Sequence, residues 1–238
     1  MIHKTSIDAS VAKGLAKRLI RELDECKYAK ESFNHLPRRK RIRETIKHIK
    51  KHKYEVSLGS IHKESSKWEM LYGSWSTSSV YSLSSDVDVR LLLCFHVYFE
   101  LPLPYEDSNQ IVSVILSKHS LERLILRKRP YIKRYYEVVS YLKTVIKQFL
   151  LHCLAYYEAC PNGIDEFYAN VDGHIYPIVY SIGLNRYGKK CLNFTIKTVM
   201  PVEFDGAKKA IQNMPDYNVK DNMSDYWEIL HSILNHQQ

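Results

Sequence analysis

The pattern of apolar and polar positions predicts a chain that contains both helices and strands. Spaced apolar residues predict a helix from Ser10 to about Cys26 and a second, basic helix over residues 38–53. A longer helix is expected over residues 131–157, and a short one from about Tyr226. One face of the long helix carries a continuous apolar stripe: Val138, Leu142, Val145, Ile146, Phe149 and Leu150.

Period-two alternation and apolar runs predict the strands. Asp86 and Asp88 alternate with valines and lead into an apolar run, which predicts a strand over residues 86–99. Residues 175–184 and 191–203 flank a polar turn and predict a long hairpin. The fold class expected is α+β, a twisted mixed sheet flanked by helices, with the acid pair on a central strand and the long helix behind it.

Composition places bounds on the domain organisation and on the partners. A chain of 238 residues, 45% hydrophobic, can bury a sizeable core. We expect basic helices over residues 1–56 to pack on a core lobe over residues 57–238. The net charge of +9 suggests an anionic partner. Five cysteines without a C-x-x-C pair indicate reduced, buried thiols.

Sequence features of the termini and of the apolar runs bear on localisation. The N-terminus has no signal-peptide pattern, and no apolar run reaches the roughly 18 residues that a membrane span needs. We therefore expect no membrane span and a location in the cytoplasm or the nucleus. Oligomeric state is left open.

Two carboxylates and a pair of small residues carry the candidate chemistry. On a strand, residues i and i+2 face the same way, so Asp86 and Asp88 are expected to point to one side. Adjacent carboxylates become favourable around a divalent cation, here Mg²⁺ or Mn²⁺. Gly73 and Ser74 are expected to form a turn whose N–H groups hold a phosphate. A chance Asp-x-Asp pair and an ordinary Ser-rich loop over residues 74–85 form the alternative.

The order and spacing of these residues resemble a known family. Gly73-Ser74, followed after eleven residues by Asp86-Val87-Asp88, resembles the DNA polymerase-beta-like nucleotidyltransferases. Both the cyclic GMP–AMP synthase-like receptors and the oligoadenylate synthetases share that spacing. The hairpin after residue 175 and the segment from Tyr217 to Ser232 are similar to the first group.

Fold, substrates and roles follow from this resemblance as expectations. It implies a polymerase-beta-like nucleotidyltransferase fold, a role in innate immunity, and the joining of ATP and GTP on sensing double-stranded RNA or DNA. Asp86 and Asp88 would be the catalytic ligands of Mg²⁺ or Mn²⁺, and Gly73 and Ser74 would bind the nucleotide.

Two departures from the family pattern lower the activity that we expect. Thr198 stands three residues before Pro201, where the family carries a third acid. The family's helical C-terminal lobe would follow the last residue of this chain, and we expect it to be largely absent. Three alternatives stay open: a weakened or inactive synthase, a catalytically inactive nucleotide- or nucleic-acid-binding module of the same fold, and an oligoadenylate synthetase-like enzyme.

The basic helix over residues 38–53 is the candidate surface for nucleic acid. It holds nine Lys or Arg residues against one Glu. Such a helix can lie along phosphates, although a solvated face or a nuclear-localisation role is the alternative. The residues expected to contact nucleic acid are Arg38, Arg39, Lys40, Arg41, Arg43, Lys47, Lys50 and Lys51.

Overall fold

A computed structural model describes most of the chain and gives bounds, within that part, for five α-helices, one short 3₁₀ helix at Met223–Tyr226 and eight strands. It covers residues 2–25, 37, 40, 43–44, 47, 55–63, 67–80, 90–100, 110–128, 132–161, 166–184, 188–214 and 216–235. The helices are α1 Ile2–Glu25, α2 Lys118–Arg127, α3 Tyr135–Ala159, α4 Asp205–Gln212 and α5 Trp227–Asn235. The strands are β1 Glu55–Lys63, β2 Lys67–Val80, β3 Arg90–Glu100, β4 Gln110–Ser117, β5 Glu166–Val171, β6 His174–Leu184, β7 Lys190–Ile196 and β8 Met200–Pro201.

The strands form one mixed sheet built from two antiparallel meanders. Its order is β1-β2-β3-β4-β7-β6-β5, and the short β8 pairs with β6. Among the described strands, β4 and β7 form the parallel pair, and every other pair is antiparallel. The prediction of an α+β chain with a twisted mixed sheet and flanking helices is therefore confirmed.

The long helix α3 packs its apolar face into the core, as the sequence pattern predicts. All six residues of its apolar stripe are buried. The ring of Phe149 meets that of Tyr176 on β6 edge-on, with centroids 4.6 Å apart. By length and composition alone α3 could also cross a membrane, but its most apolar stretch is 56% buried inside the protein.

The predicted hairpin is confirmed where residues 178–184 of β6 pair with residues 190–196 of β7. Its second strand, expected over residues 191–203, ends at Ile196, and residues 174–175 of β6 pair instead with β8.

Helix α1 belongs to the same hydrophobic core. Ala12, Ala16, Leu19 and Leu23 are buried there. The helix begins at Ile2, so the predicted start at Ser10 is wrong. A capping residue favours a helix start but does not prevent residues before it from continuing the helix. β1 begins at Glu55, next to the expected boundary at residue 56, and the division into two parts stays a prediction.

The C-terminal segment is held against α3 and β5 by aromatic and ionic contacts. The ring of Tyr217 meets those of Tyr156 and Phe167 edge-on, with centroids 6.0 and 6.1 Å apart, and its hydroxyl donates to the carbonyl of Tyr168 at 3.0 Å. The Nζ of Lys220 lies 2.6 Å from the carboxylate of Glu158. These contacts fix residues 216–235 to the sheet.

Buried thiols are confirmed at three of the four cysteines that the structure describes, and Cys26 lies outside the described residues. Cys94, Cys153 and Cys191 are free and buried, and Cys160 is free and partly buried. Burial raises the pKa of Cys94 to about 11, so its thiol stays protonated at neutral pH. The cellular compartment stays a prediction.

Candidate functional site

Gly73 and Ser74 lie inside β2 and not in a turn. Gly73 pairs with Val56 on β1 and Val97 on β3, and Ser74 pairs with their neighbours on the same two strands. A strand with partners on both sides uses its backbone N–H groups in the ladders. The predicted turn is therefore wrong, and no free N–H cradle for a phosphate is present at this pair.

The glycine at position 73 serves close packing. A Cβ atom built there would overlap the ring of Phe95 on β3. The same ring contacts Trp75, with centroids 4.9 Å apart. Gly73 is thus required because an aromatic ring from the neighbouring strand covers it, an arrangement that local sequence does not reveal.

Asp86 and Asp88 lie outside the described residues, so their placement stays a prediction. The flanking strands are described. β2 and β3 pair antiparallel up to Val80 and Arg90, and the strand predicted over residues 86–99 is confirmed from Arg90 onward.

Thr198 borders a cavity whose polar lining is basic. The residue follows the end of β7 at Ile196 and is half-buried. The cavity has a volume of about 350 Å³ and is lined by His119, Arg123 and Arg127 of α2 together with Thr198, Val199, Met200, Pro201, Phe204 and Gly206. None of these lining residues carries a carboxylate. This donor set does not fit a divalent cation, which needs anionic oxygen ligands.

The charges around Arg127 are poorly compensated. Burial, followed by the nearby positive charge of Arg123, lowers the pKa of Arg127, while Glu203 acts in the opposite direction. Within the described residues, the Nε of Arg127 is buried without a hydrogen-bond partner. The guanidinium lies over the ring of Phe204, 5.3 Å from its centroid. A polar atom buried in this way is costly unless something binds to it.

The acids next to Thr198 in the sequence do not line the cavity. Glu203 and Asp205 are exposed, and Asp205 lies 3.3 Å from the Nζ of Lys208. Asn193, a further polar candidate, lies within β7, and its side-chain oxygen accepts from the thiol of Cys191 at 3.7 Å. Among the residues that the structure describes, no group of three His, Cys, Asp or Glu could hold a metal ion.

The basic segment is described at four helical positions. Lys40, Arg43 and Lys47 are exposed, and Glu44 lies among them. The Nζ of Lys47 is 2.8 Å from the carboxylate of Glu44. That hydrogen bond, together with the charges of Lys47, Lys40 and Arg43, lowers the pKa of Glu44. The other expected contacts, Arg38, Arg39, Arg41, Lys50 and Lys51, lie outside the described residues.

The sequence contains a signal for the basic side of the cavity. His119, Arg123 and Arg127 follow one another at intervals of four, which places them on one face of a helix. Phe204, which follows β8 in the sequence, contacts the guanidinium of Arg127, and no local pattern predicts that contact.

A second polar cluster joins β3 and β4. The Nδ1 of His96 lies 3.0 Å from the hydroxyl of Ser113 and 3.1 Å from the side-chain amide of Gln110. Gln110 also donates to Ser113 at 2.8 Å. Ser113 is 2% exposed, so this cluster satisfies buried polar groups between two strands and does not present a nucleophile.

Comparison with known proteins adds no assignment. No family model, no curated protein and no solved structure matches this chain.

Proposed function

We propose that this protein binds double-stranded nucleic acid through the basic segment over residues 38–53. The observation that carries the proposal is the exposed cluster of Lys40, Arg43 and Lys47 around the single acid Glu44. Glu44 neutralises one of three positive charges, and the remaining two face solvent. A helical face of this kind supplies cations at the spacing needed to lie along a phosphate backbone.

Binding of this type is expected to depend on salt and not on base sequence. Each phosphate that a Lys or Arg neutralises releases condensed counterions, so affinity falls steeply as salt rises. The segment matches no base-reading motif such as a zinc finger or an RNA-recognition motif. The charge pattern therefore favours backbone recognition, with RNA and DNA both as candidate ligands.

We further propose that the core is a nucleotidyltransferase-like module in which turnover is weak or absent. The support for this proposal is the order and spacing of Gly73, Ser74, Asp86 and Asp88 in the sequence, whereas the strand position of the first two argues against a phosphate-binding turn. One observation favours a binding role over catalysis. Among the described residues that line its cavity, Thr198 has arginines and no carboxylate beside it. A weakened synthase for ATP and GTP is the second candidate, since Asp86 and Asp88 are present.

The test is a titration of double-stranded RNA and DNA at several salt concentrations. Replacing Lys40, Arg43 and Lys47 together with Glu should abolish binding, or reduce the log–log salt slope by about 0.9 for each lost phosphate contact. The control replaces three exposed lysines elsewhere, Lys133, Lys147 and Lys209, with Glu, which changes the net charge equally. Equal losses in both variants would mean that net charge alone matters, and unchanged binding in the first would reject the segment as the contact surface.

A further inference from the structure

The cavity beside Thr198 has the composition of an anion site with an apolar wall. His119, Arg123 and Arg127 line it from α2, and Val199, Met200, Pro201 and Phe204 line it from the segment after β7. None of these residues belongs to the basic segment or to the motif over residues 73–88. We propose that this cavity binds a small phosphate monoester whose planar, apolar part lies against Phe204, which is the chemistry of a mononucleotide.

The requirement for an anion comes from Arg127. Its Nε is buried without a partner among the described residues, and burial and Arg123 both lower its pKa. Within the same part of the chain, neither arginine forms an ion pair. Glu203, whose charge partly offsets the lowering of the Arg127 pKa, is exposed. A bound anion would relieve the repulsion between the two guanidinium groups and would favour their charged form.

A phosphate monoester fits this lining better than a smaller or singly charged anion. Two guanidinium groups and an imidazole offer several donors to a tetrahedral group with three terminal oxygens, and two positive charges match its double negative charge. The hydroxyl of Thr198 adds a neutral donor at the same wall. A carboxylate at position 198 would instead compete with the ligand for the arginines.

The apolar wall indicates the rest of the ligand. Phe204 remains 52% exposed although its ring already lies under the guanidinium of Arg127. A planar group placed on the open part of that ring would gain stacking and apolar contact. The volume of about 350 Å³ lies at the small end of the range for ligand pockets, roughly 300–1,000 Å³, and suits a ligand of mononucleotide size.

The experiment measures binding of AMP, adenosine, ribose 5-phosphate and inorganic phosphate to the full chain by calorimetry. We expect AMP to bind most tightly, the two smaller phosphates more weakly, and adenosine not at all. Arg127→Gln and Arg123→Gln should each weaken AMP binding by about tenfold or more, the usual loss for a hydrogen bond to a charged group. Arg127→Lys should also weaken it, because it keeps the charge and loses the planar fork.

Controls separate this site from general charge and from the nucleic-acid surface. Lys147→Gln removes one exposed charge and should leave AMP binding unchanged, as should the triple Glu variant at Lys40, Arg43 and Lys47. Phe204→Ala should weaken AMP binding while leaving inorganic phosphate unchanged. Binding of a short oligonucleotide with and without a 5′-phosphate is compared with binding of AMP, to distinguish a strand end from a free nucleotide as the source of the phosphate. Preference for either one supports the site.

Two results would overturn the proposal. The first is the absence of AMP binding by the wild-type chain. The second is AMP binding that is unaffected in both Arg123→Gln and Arg127→Gln, with thermal unfolding showing both variants to be folded. Arg127 is partly exposed and its Nε has no partner among the described residues, so its replacement is not expected to unfold the chain. Arg123→Gln, at an exposed position, provides an independent variant.

Discussion

Lys128 and Asp172 form the most buried ion pair among the described residues. The side chain of Lys128 is 9% exposed, and its Nζ lies 2.7 Å from the carboxylate of Asp172 and 2.9 Å from the carbonyl of the same residue. The hydroxyl of Tyr141 also donates to that carboxylate at 3.3 Å. The hydrogen bond from Lys128 is the main reason why the pKa of Asp172 is lowered. This pair joins the end of α2 to the β5–β6 turn.

We expect Asp172→Asn to lower the free energy of unfolding at pH 7 by about 1–2 kcal/mol. This is less than for a fully buried ion pair, because solvent screens the half-exposed carboxylate. Asn tolerates the positive φ of 51° at this position, so the change isolates the charge. The folded pKa is lowered, so the stabilisation is present above the ordinary Asp value of about 3.9 and disappears as pH falls through the folded pKa. Urea unfolding at pH 7 and at about pH 2 measures this. The exposed Asp216→Asn is the control, and a pH-independent difference would contradict the assignment.

At the scale of elements, strong periodic patterns predict well and contacts between distant segments do not. The apolar stripe of α3 and the β6–β7 hairpin follow directly from the sequence. The β5–β6 hairpin was missed although Asp172-Gly173 between two strands is a strong local signal for it. The position of Gly73 inside a strand could not be predicted, because Phe95 lies twenty-two positions further along the chain.

Gly73→Ala tests whether the glycine serves packing in β2. We expect it to lower the free energy of unfolding by about 1–3 kcal/mol, since the added methyl group would overlap the ring of Phe95. The double variant Gly73→Ala/Phe95→Leu should lower the free energy of unfolding by less than the summed losses of the two single variants. Ser74→Ala, in the same strand without that overlap, is the matched control. A stable Gly73→Ala protein would favour the turn that the sequence first suggested.

At the scale of the whole molecule, the class of fold follows from the sequence, whereas the functional site follows only in part. The alternating and apolar runs indicate a mixed sheet with a helix behind it, but the order of the strands depends on which distant segments pair. The cavity at Thr198 brings α2 together with residues some eighty positions later. Chemistry assembled from such separate segments has no sequence motif of its own.

We expect the purified protein to form little or no cyclic dinucleotide from ATP and GTP with Mg²⁺ or Mn²⁺ and double-stranded RNA or DNA. The hydroxyl of Thr198 has neither the charge nor the basicity of the acid found at this position in the family that the sequence resembles. Chromatography of the reaction products measures this. Thr198→Asp separates the two functions: restored product would indicate a synthase that lacks one acid, whereas weaker AMP binding without product supports the phosphate site. Robust synthesis by the wild type that Asp86→Asn removes would contradict the prediction.

The parallel contact between β4 and β7 has a consequence for the order of folding. The pairs within each meander join neighbours in sequence, but this contact joins Val112 to Leu192 across both α2 and α3. Closing so long a loop costs conformational entropy before the pairing of β4 with β7 can stabilise the chain. Each meander can therefore form before the two pair. Ser120 then secures the junction, with its hydroxyl 2.8 Å from the carbonyl of Ile196 and 2.7 Å from that of Lys197. Thr198 directly follows these residues. Local separation of β4 from β7 would therefore break up the cavity while both meanders stay intact.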